Sequence, residues 1–160
     1  GEICISGPTV MRESYADPRA TEDLIKVHPD GKRWVHSGEV GRMDEDGALH
    51  ITGRLKNVIV TSNGKNIYPE ELEAVNNSQP YVAESIVVER ASKLVALVYL
   101  DKDAITRDKL DDEAVSDIPE TIRINSNRQL PSYSKIAKVE IVLSPFEKTP
   151  KMSIKRFMYK

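Results

Sequence analysis

Polar and apolar residues alternate through Glu2-Ile3-Cys4-Ile5-Ser6, and the run stops at Gly7-Pro8. A period of two sends successive side chains to opposite faces, so the segment is predicted to be a strand. Trp34-Val35-His36, Val40-Gly41-Arg42-Met43 and the run from Ala48 to Thr52 read as further strands. Asp44-Glu45-Asp46-Gly47 closes a hairpin between the last two, with Gly47 supplying the positive φ such a turn needs. One short helix interrupts the strands. Asp17 is its predicted N-cap and Pro18 its first helical residue, and it runs to Ile25 ahead of the turn His28-Pro29-Asp30-Gly31.

The pattern changes after Arg54. Val58-Ile59-Val60 is a brief apolar strand, followed by the turn Ser62-Asn63-Gly64-Lys65. Pro69-Glu70-Glu71-Leu72-Glu73-Ala74-Val75 opens a helix, with proline in its first turn and carboxylates facing the positive end of its dipole. Val82 to Glu89 and Leu94 to Leu100 form a hairpin joined at Arg90-Ala91-Ser92-Lys93. Residues 103–120 hold seven acids against two bases and read as a solvated, partly helical excursion. A second helix is expected from Pro119 to Arg128, ending before Leu130-Pro131, and Lys138 to Leu143 is a last strand. Strands and helices joined partly by hairpins predict an α+β fold for this part, with an antiparallel sheet and flanking helices.

Composition narrows the functional classes. At 160 residues, 39% hydrophobic and 30% charged, the chain fits one domain, or a domain carrying a piece of another. A net charge of −2 supplies no basic field for nucleic acid, so no nucleic-acid partner is expected. Cys4 is the single cysteine, which is read as excluding an internal disulfide framework and a cysteine-based zinc cluster. His28, His36 and His50 show no metal-ligand spacing along the chain, and no metal site is expected. No apolar run approaches the ~20 residues that span a bilayer. A cytoplasmic protein is the expectation; peripheral membrane contact stays open, and the oligomeric state is not specified. Seven of the eight glycines precede residue 54, which marks a change of architecture there, and the start at Gly1 without methionine is read as the start of a fragment.

The most informative stretch runs from Gly53 to Glu73: Gly-Arg-Leu-Lys-Asn-Val-Ile-Val-Thr-Ser-Asn-Gly-Lys-Asn-Ile-Tyr-Pro-Glu-Glu-Leu-Glu. As bare pattern it is a strand end, a polar link, a glycine turn and a proline-capped helix, and an ordinary loop would read the same way. It also resembles the hinge motif of the adenylate-forming superfamily of acyl-CoA synthetases, peptide-synthetase adenylation domains and firefly luciferase. Gly53, Arg54, Lys56, Ile59, Gly64, Ile67, Pro69, Glu71, Leu72 and Glu73 match that motif in spacing, ten positions over 21 residues. Upstream, Gly1-Glu2-Ile3, Tyr15-Ala16-Asp17-Pro18-Arg19-Ala20-Thr21 and Trp34-Val35-His36-Ser37-Gly38-Glu39 resemble further family segments in the same order. The resemblance implies that residues 1–54 end a large, β-rich AMP-binding domain and that residues 55–160 form a small mobile C-terminal domain.

It also implies roles. Glu39, where the family has aspartate, and Arg54 would bind the ribose of ATP, since a carboxylate accepts from both hydroxyls of a cis diol. Glu39 is one methylene longer, and without the flanking motif a solvated hairpin glutamate is the simpler reading. Lys56 falls at the hinge. Gly64 and Lys65 would face the CoA thiol channel, although an ordinary surface lysine reads the same at position 65. The tail Thr149-Pro150-Lys151-Met152-Ser153-Ile154-Lys155-Arg156 resembles the family's closing motif and places Ser153 where its catalytic lysine is expected. Lys151, then Lys155, two residues to either side, are the substitutes, because an i±2 shift in an extended segment keeps the same face. Loss of fast adenylation is the third option. The five basic residues from Lys148 onward read otherwise as a solvated terminus.

The activity so implied is an ATP-dependent, AMP-forming ligation: a carboxylic acid and MgATP give an acyl-adenylate, which CoA converts to a thioester. ATP and CoA are substrates, Mg2+ is bound mainly outside this chain, and the Lys-Arg ending tilts the acid towards a fatty acid. The chain alone is expected to be inactive. Two alternatives stand beside it: an amino-acid adenylation domain delivering to a carrier protein, and a non-catalytic binding module derived from the family.

Overall fold

The computed structural model describes residues 1–61 and 64–159. Its contacts divide the chain into two compact units, Gly1–Asn57 and Val58–Lys160.

The first unit is an antiparallel sheet built on one long strand. Strands β1 (Glu2–Ser6), β2 (Ile25–Val27) and β4 (Leu49–Arg54) all pair with β3 (Arg33–Met43). The two separate strands expected at 34–36 and 40–43 are therefore one. Gly38, at φ 70°, takes a left-handed conformation that lets Ser37-Gly38-Glu39 bulge without breaking the ladder. Gly41 is required for space: a Cβ there would lie 2.7 Å from the His50 carbonyl oxygen. Helix α1 (Pro18–Leu24) starts as predicted, its N-cap Asp17 accepting from the Ala20 amide at 3.0 Å. It stops one residue early, because Ile25, with φ −112° and ψ 120°, begins β2. The Asp44–Gly47 hairpin forms, with Gly47 at φ 83°.

The second unit is α+β. A short pair, β5 (Ile59–Val60) and β6 (Asn66–Ile67), leads into helix α2 (Pro69–Asn77). The main sheet has the order β7-β8-β9, from Val82–Arg90, Lys93–Leu100 and Ile136–Val142. The β7–β8 hairpin is antiparallel and turns on Ala91 and Ser92, at φ 48° and 58°. One detail differs from an all-antiparallel sheet: β9 joins β8 in parallel, after the crossover through α3 (Lys102–Arg107) and α4 (Asp112–Gln129). The acidic stretch forms both of these helices. Asp101 and Asp111 accept from the Ala104 and Ala114 amides at 3.0 and 2.8 Å, so part of its negative charge is N-cap chemistry. Helix α4 starts seven residues before Pro119, which lies inside it.

Alternation along the sheet makes two cores. Val87, Leu94, Ala96, Val98 and Leu100 face the helices, meeting Leu72 of α2 and Ile118 and Ile122 of α4. Ile86, Val88, Val95 and Leu97 face the other way and are covered by Phe146, Ile154 and Tyr159 of the C-terminal segment. Each such side chain removed from water contributes roughly 1.5–3 kcal/mol. The tail is therefore a packed layer of the second unit.

Candidate functional site

The residues nominated by the sequence fall into two groups, one in each unit. In the first, Glu39 on β3 and Arg54 on β4 are cross-strand partners, and the Arg54 Nε lies 3.0 Å from Glu39 Oε1. The pair is partly open to water, with side-chain exposures of 28% and 51%. A carboxylate with a second oxygen beside a guanidinium with further N–H groups can accept from and donate to a vicinal diol together. Strand β1 grips the bulge that presents Glu39. Ser37 Oγ donates to the Ile3 carbonyl at 2.7 Å and accepts from the Glu39 amide at 3.1 Å, while the Gly38 amide donates to Glu2 Oε1 at 3.0 Å. Lys56 is exposed in a 3-10 turn, Leu55–Asn57, at the end of the first unit.

In the second unit, Gly64 sits at φ 72°, its amide donating to the Thr61 carbonyl at 2.8 Å. A Cβ there would meet nothing within 4 Å, so its backbone conformation is what favours glycine. Ser62 and Asn63 of the same turn lie outside the described residues. Lys65 places its ammonium 4.6 Å from the centre of the Tyr133 ring, a cation–π contact. A cavity of about 260 Å³ lies beside this turn, lined by Thr61, Ile67, Lys93, Tyr133 and Lys135 among others.

The tail carries the remaining candidates. Lys148 and Ile154 bridge, and the Thr149 amide donates to the Ser153 carbonyl at 2.8 Å, closing a tight turn over Pro150-Lys151-Met152. Lys151 is exposed on that turn, and Met152 beside it is held at φ 62°. The same-face relation of an extended segment thus does not apply between Lys151 and Ser153. Ser153 is exposed, and Lys155 lies 3.6 Å from Glu147. Two of the five basic residues are inward anchors: Lys148 pairs with Glu84 of β7, and Arg156 with Glu73 of α2.

The Glu73–Arg156 pair escaped the sequence reading. Glu73 is only 6% exposed, and Arg156 Nη1 donates to its Oε1 at 2.6 Å while Nη2 donates to Oε2. The Val87 amide adds a third bond to Oε1, at 2.6 Å, and Glu70 Oε1 lies 3.8 Å from Arg156. Burial pushes the Glu73 carboxyl up, while Arg156 and the Val87 amide pull it back. Burial opposes the Arg156 charge too, but Glu73 and then Glu70 outweigh it and hold the guanidinium above its ordinary range. The signal was present as a motif glutamate and a Lys-Arg ending 83 positions apart, but nothing in the sequence joins them.

A second missed grouping lies on β1 and β3. Cys4 and His36 are cross-strand partners, and Glu2 Oε2 lies 2.8 Å from His36 Nδ1. His28 Nε2 approaches His36 Nε2 at 2.9 Å. Spacing along the chain separates these residues, and strand pairing brings them together.

The chain belongs to the AMP-binding enzyme C-terminal domain family, whose model matches residues 56–159. It is 39% identical over 115 residues to a long-chain-fatty-acid–CoA ligase of Salmonella typhimurium, an alignment covering 69% of this chain and 19% of that ligase. It is 40% identical over 88 residues to a fatty acid–[acyl-carrier-protein] ligase of Streptomyces coeruleorubidus, covering 55% and 16%. Its structure is similar to o-succinylbenzoate CoA synthetase from Bacillus subtilis in complex with an acyl-adenylate intermediate, with a TM-score of 0.77 and 25% identity over 100% of this chain and 30% of that one. The chain spans about a fifth of the length of the fatty-acid–CoA ligase it matches.

Proposed function

We propose that this chain works as the C-terminal part of an AMP-forming acid–CoA ligase, with residues 1–54 ending the large ATP-binding domain and residues 55–160 forming the mobile one. The match of residues 56–159 to the family model carries this reading. The reaction has two halves. A carboxylate oxygen attacks the α-phosphorus of ATP, releasing pyrophosphate and leaving an acyl-adenylate. The CoA sulfur then attacks the acyl carbon, releasing AMP.

Glu39 accepts from the ribose hydroxyls and Arg54 donates to the same sugar; their existing contact holds both in place for the diol. Lys56 is the hinge, its exposure letting backbone rotation occur without breaking packing. Lys151 stabilises negative charge developing between the carboxylate and the α-phosphate, with Lys155 second. The exposed turn position of Lys151 supports this order, because Lys155 already has Glu147 nearby. Gly64 and Lys65 serve the thiol step, beside the cavity that Lys93 and Lys135 line. The Mg2+ that accompanies ATP is assigned mainly to segments outside this chain, as part of the same reading.

A fatty acid is the proposed substrate, supported by the Salmonella relative and the Lys-Arg ending. The carrier-protein ligase among the relatives favours one second reading, in which a carrier thiol replaces CoA. Among the described residues no helix is long and apolar enough to cross a membrane, and the cytoplasm is the proposed location. The test is carboxylate-dependent ATP–pyrophosphate exchange by the full-length protein that carries this chain, followed by AMP release with CoA or with a phosphopantetheinylated carrier. Exchange with fatty acids and release with CoA are expected. Absence of exchange with fatty, aromatic and amino acids alike would contradict the ligase reading.

A further inference from the structure

We propose that Glu2, Cys4 and His36 form a three-ligand site for zinc, with water completing a tetrahedron. This site is separate from the ligase reading and does not depend on it.

The ligand atoms are a carboxylate oxygen of Glu2, Cys4 Sγ and a ring nitrogen of His36, and all lie within 4.8 Å of one another. Thiolate, imidazole and carboxylate together form a zinc-type donor set, and three protein ligands leave one position open. Metal–ligand bonds of about 2.3 Å to sulfur and about 2.05 Å to nitrogen and oxygen give tetrahedral edges of about 3.6 Å for S···N and about 3.3 Å for N···O. The observed Cys4 Sγ to His36 Nδ1 separation is 3.7 Å, already at that edge length. The Glu2 Oε2 to His36 Nδ1 separation is 2.8 Å, so the carboxylate must withdraw by about half an ångström, within the reach of its side-chain rotamers.

The backbone holds this arrangement. Cys4 and His36 are paired across β1 and β3, and Glu2, two residues before Cys4, shares its face. The Gly38 amide fixes the other oxygen of Glu2 at 3.0 Å, leaving Oε2 directed at His36. His36 Nε2 is supported from behind. With Nδ1 on the metal, Nε2 carries the proton and donates to His28 Nε2 at 2.9 Å, the outer partner that metal-bound histidines ordinarily have. The His28 ring is itself stacked on Trp34, with ring centres 5.3 Å apart. Glu2 and His36 keep 21% and 26% side-chain exposure, enough for an ion to enter and for water to take the fourth position.

The reduced 160-residue chain is titrated with Co2+ and then with Zn2+. One equivalent of Co2+ is expected, with a sulfur-to-metal charge-transfer band and the intense visible bands of a tetrahedral site, both erased by Zn2+. Cys4→Ser should abolish the charge-transfer band. His28→Gln should keep the band and weaken Zn2+ binding by about tenfold to a hundredfold. Alkylation of Cys4 by iodoacetamide in the unaltered chain gives a readout that needs no variant: Zn2+ should slow it. The proposal is overturned by the absence of saturable Co2+ binding, by a band that survives Cys4→Ser, or by alkylation indifferent to Zn2+.

Discussion

Glu73 and Arg156 show how much one residue pair decides. The pair ties the first helix of the second unit to the last segment of the chain; Glu73 is buried and Arg156 half-buried, and the contact is bidentate and supported by a backbone amide. Removing one partner leaves a charge stranded in an apolar setting, which costs about 3–5 kcal/mol, whereas removing both in favour of apolar groups is often neutral. Arg156→Gln is therefore expected to lower the urea-unfolding free energy by about 3 kcal/mol, and the double variant Glu73→Leu/Arg156→Met to recover most of it. A double variant no better than the single one would contradict this reading. Met152 poses the opposite case. A methionine at φ 62° pays a steric penalty that glycine avoids, so Met152→Gly should raise stability by about 1 kcal/mol in a thermal melt. Neither effect was legible in the sequence. The Glu73–Arg156 contact joins distant positions, and the left-handed conformation of Met152 is imposed by the turn it occupies.

Elements with local causes were legible and those with distant causes were not. Asp17-Pro18 and Pro69 announced two helix starts because caps act within one turn. The start of α4 was obscured by Pro119, which reads as a first-turn residue but lies well inside the helix after the Asp111 cap. The parallel placement of β9 was hidden because strand direction follows from the crossover through α3 and α4. The ladder also carries charge across its width. Arg90 on β7 and Lys138 on β9 both meet Glu140, at 2.8 and 2.9 Å, and Lys138 first, with Arg90 next, lowers the Glu140 carboxyl below its ordinary range. A lowered folded value means the stabilisation is present above the unfolded pKa of about 4.3 and is lost as pH falls through the folded value. Because the cations are largely solvated, it should stay below about 1 kcal/mol. Glu140→Gln should therefore be slightly destabilised at pH 7 and match the unaltered chain near pH 2.5 in urea titrations. A gap that persists or widens in acid would contradict the assignment.

At the scale of the whole molecule, the glycine-rich first third and the sheet-and-helix remainder are two compact units. The α+β class was legible because strand, turn and helix signals alternate after Arg54, with turn, proline and carboxylate signals dense up to Glu73. Glu39 and Arg54, given a shared role only by the family resemblance, are a cross-strand pair in the structure, a contact that strand pairing and not sequence spacing reveals. The role of the tail was only half legible: its motif was readable, but its turn geometry and its packing on the sheet required long-range structure. Under the proposed function, the Lys151 turn is a device for adenylation, and thioester formation falls to other groups. The most direct test measures the two half-reactions separately in the full-length protein, with Lys151→Ala and Lys155→Ala. Lys151→Ala should slow ATP–pyrophosphate exchange by about a hundredfold while leaving thioester formation from supplied acyl-adenylate and CoA nearly unchanged. Exchange at the unaltered rate in both variants, or equal loss of both half-reactions, would contradict it.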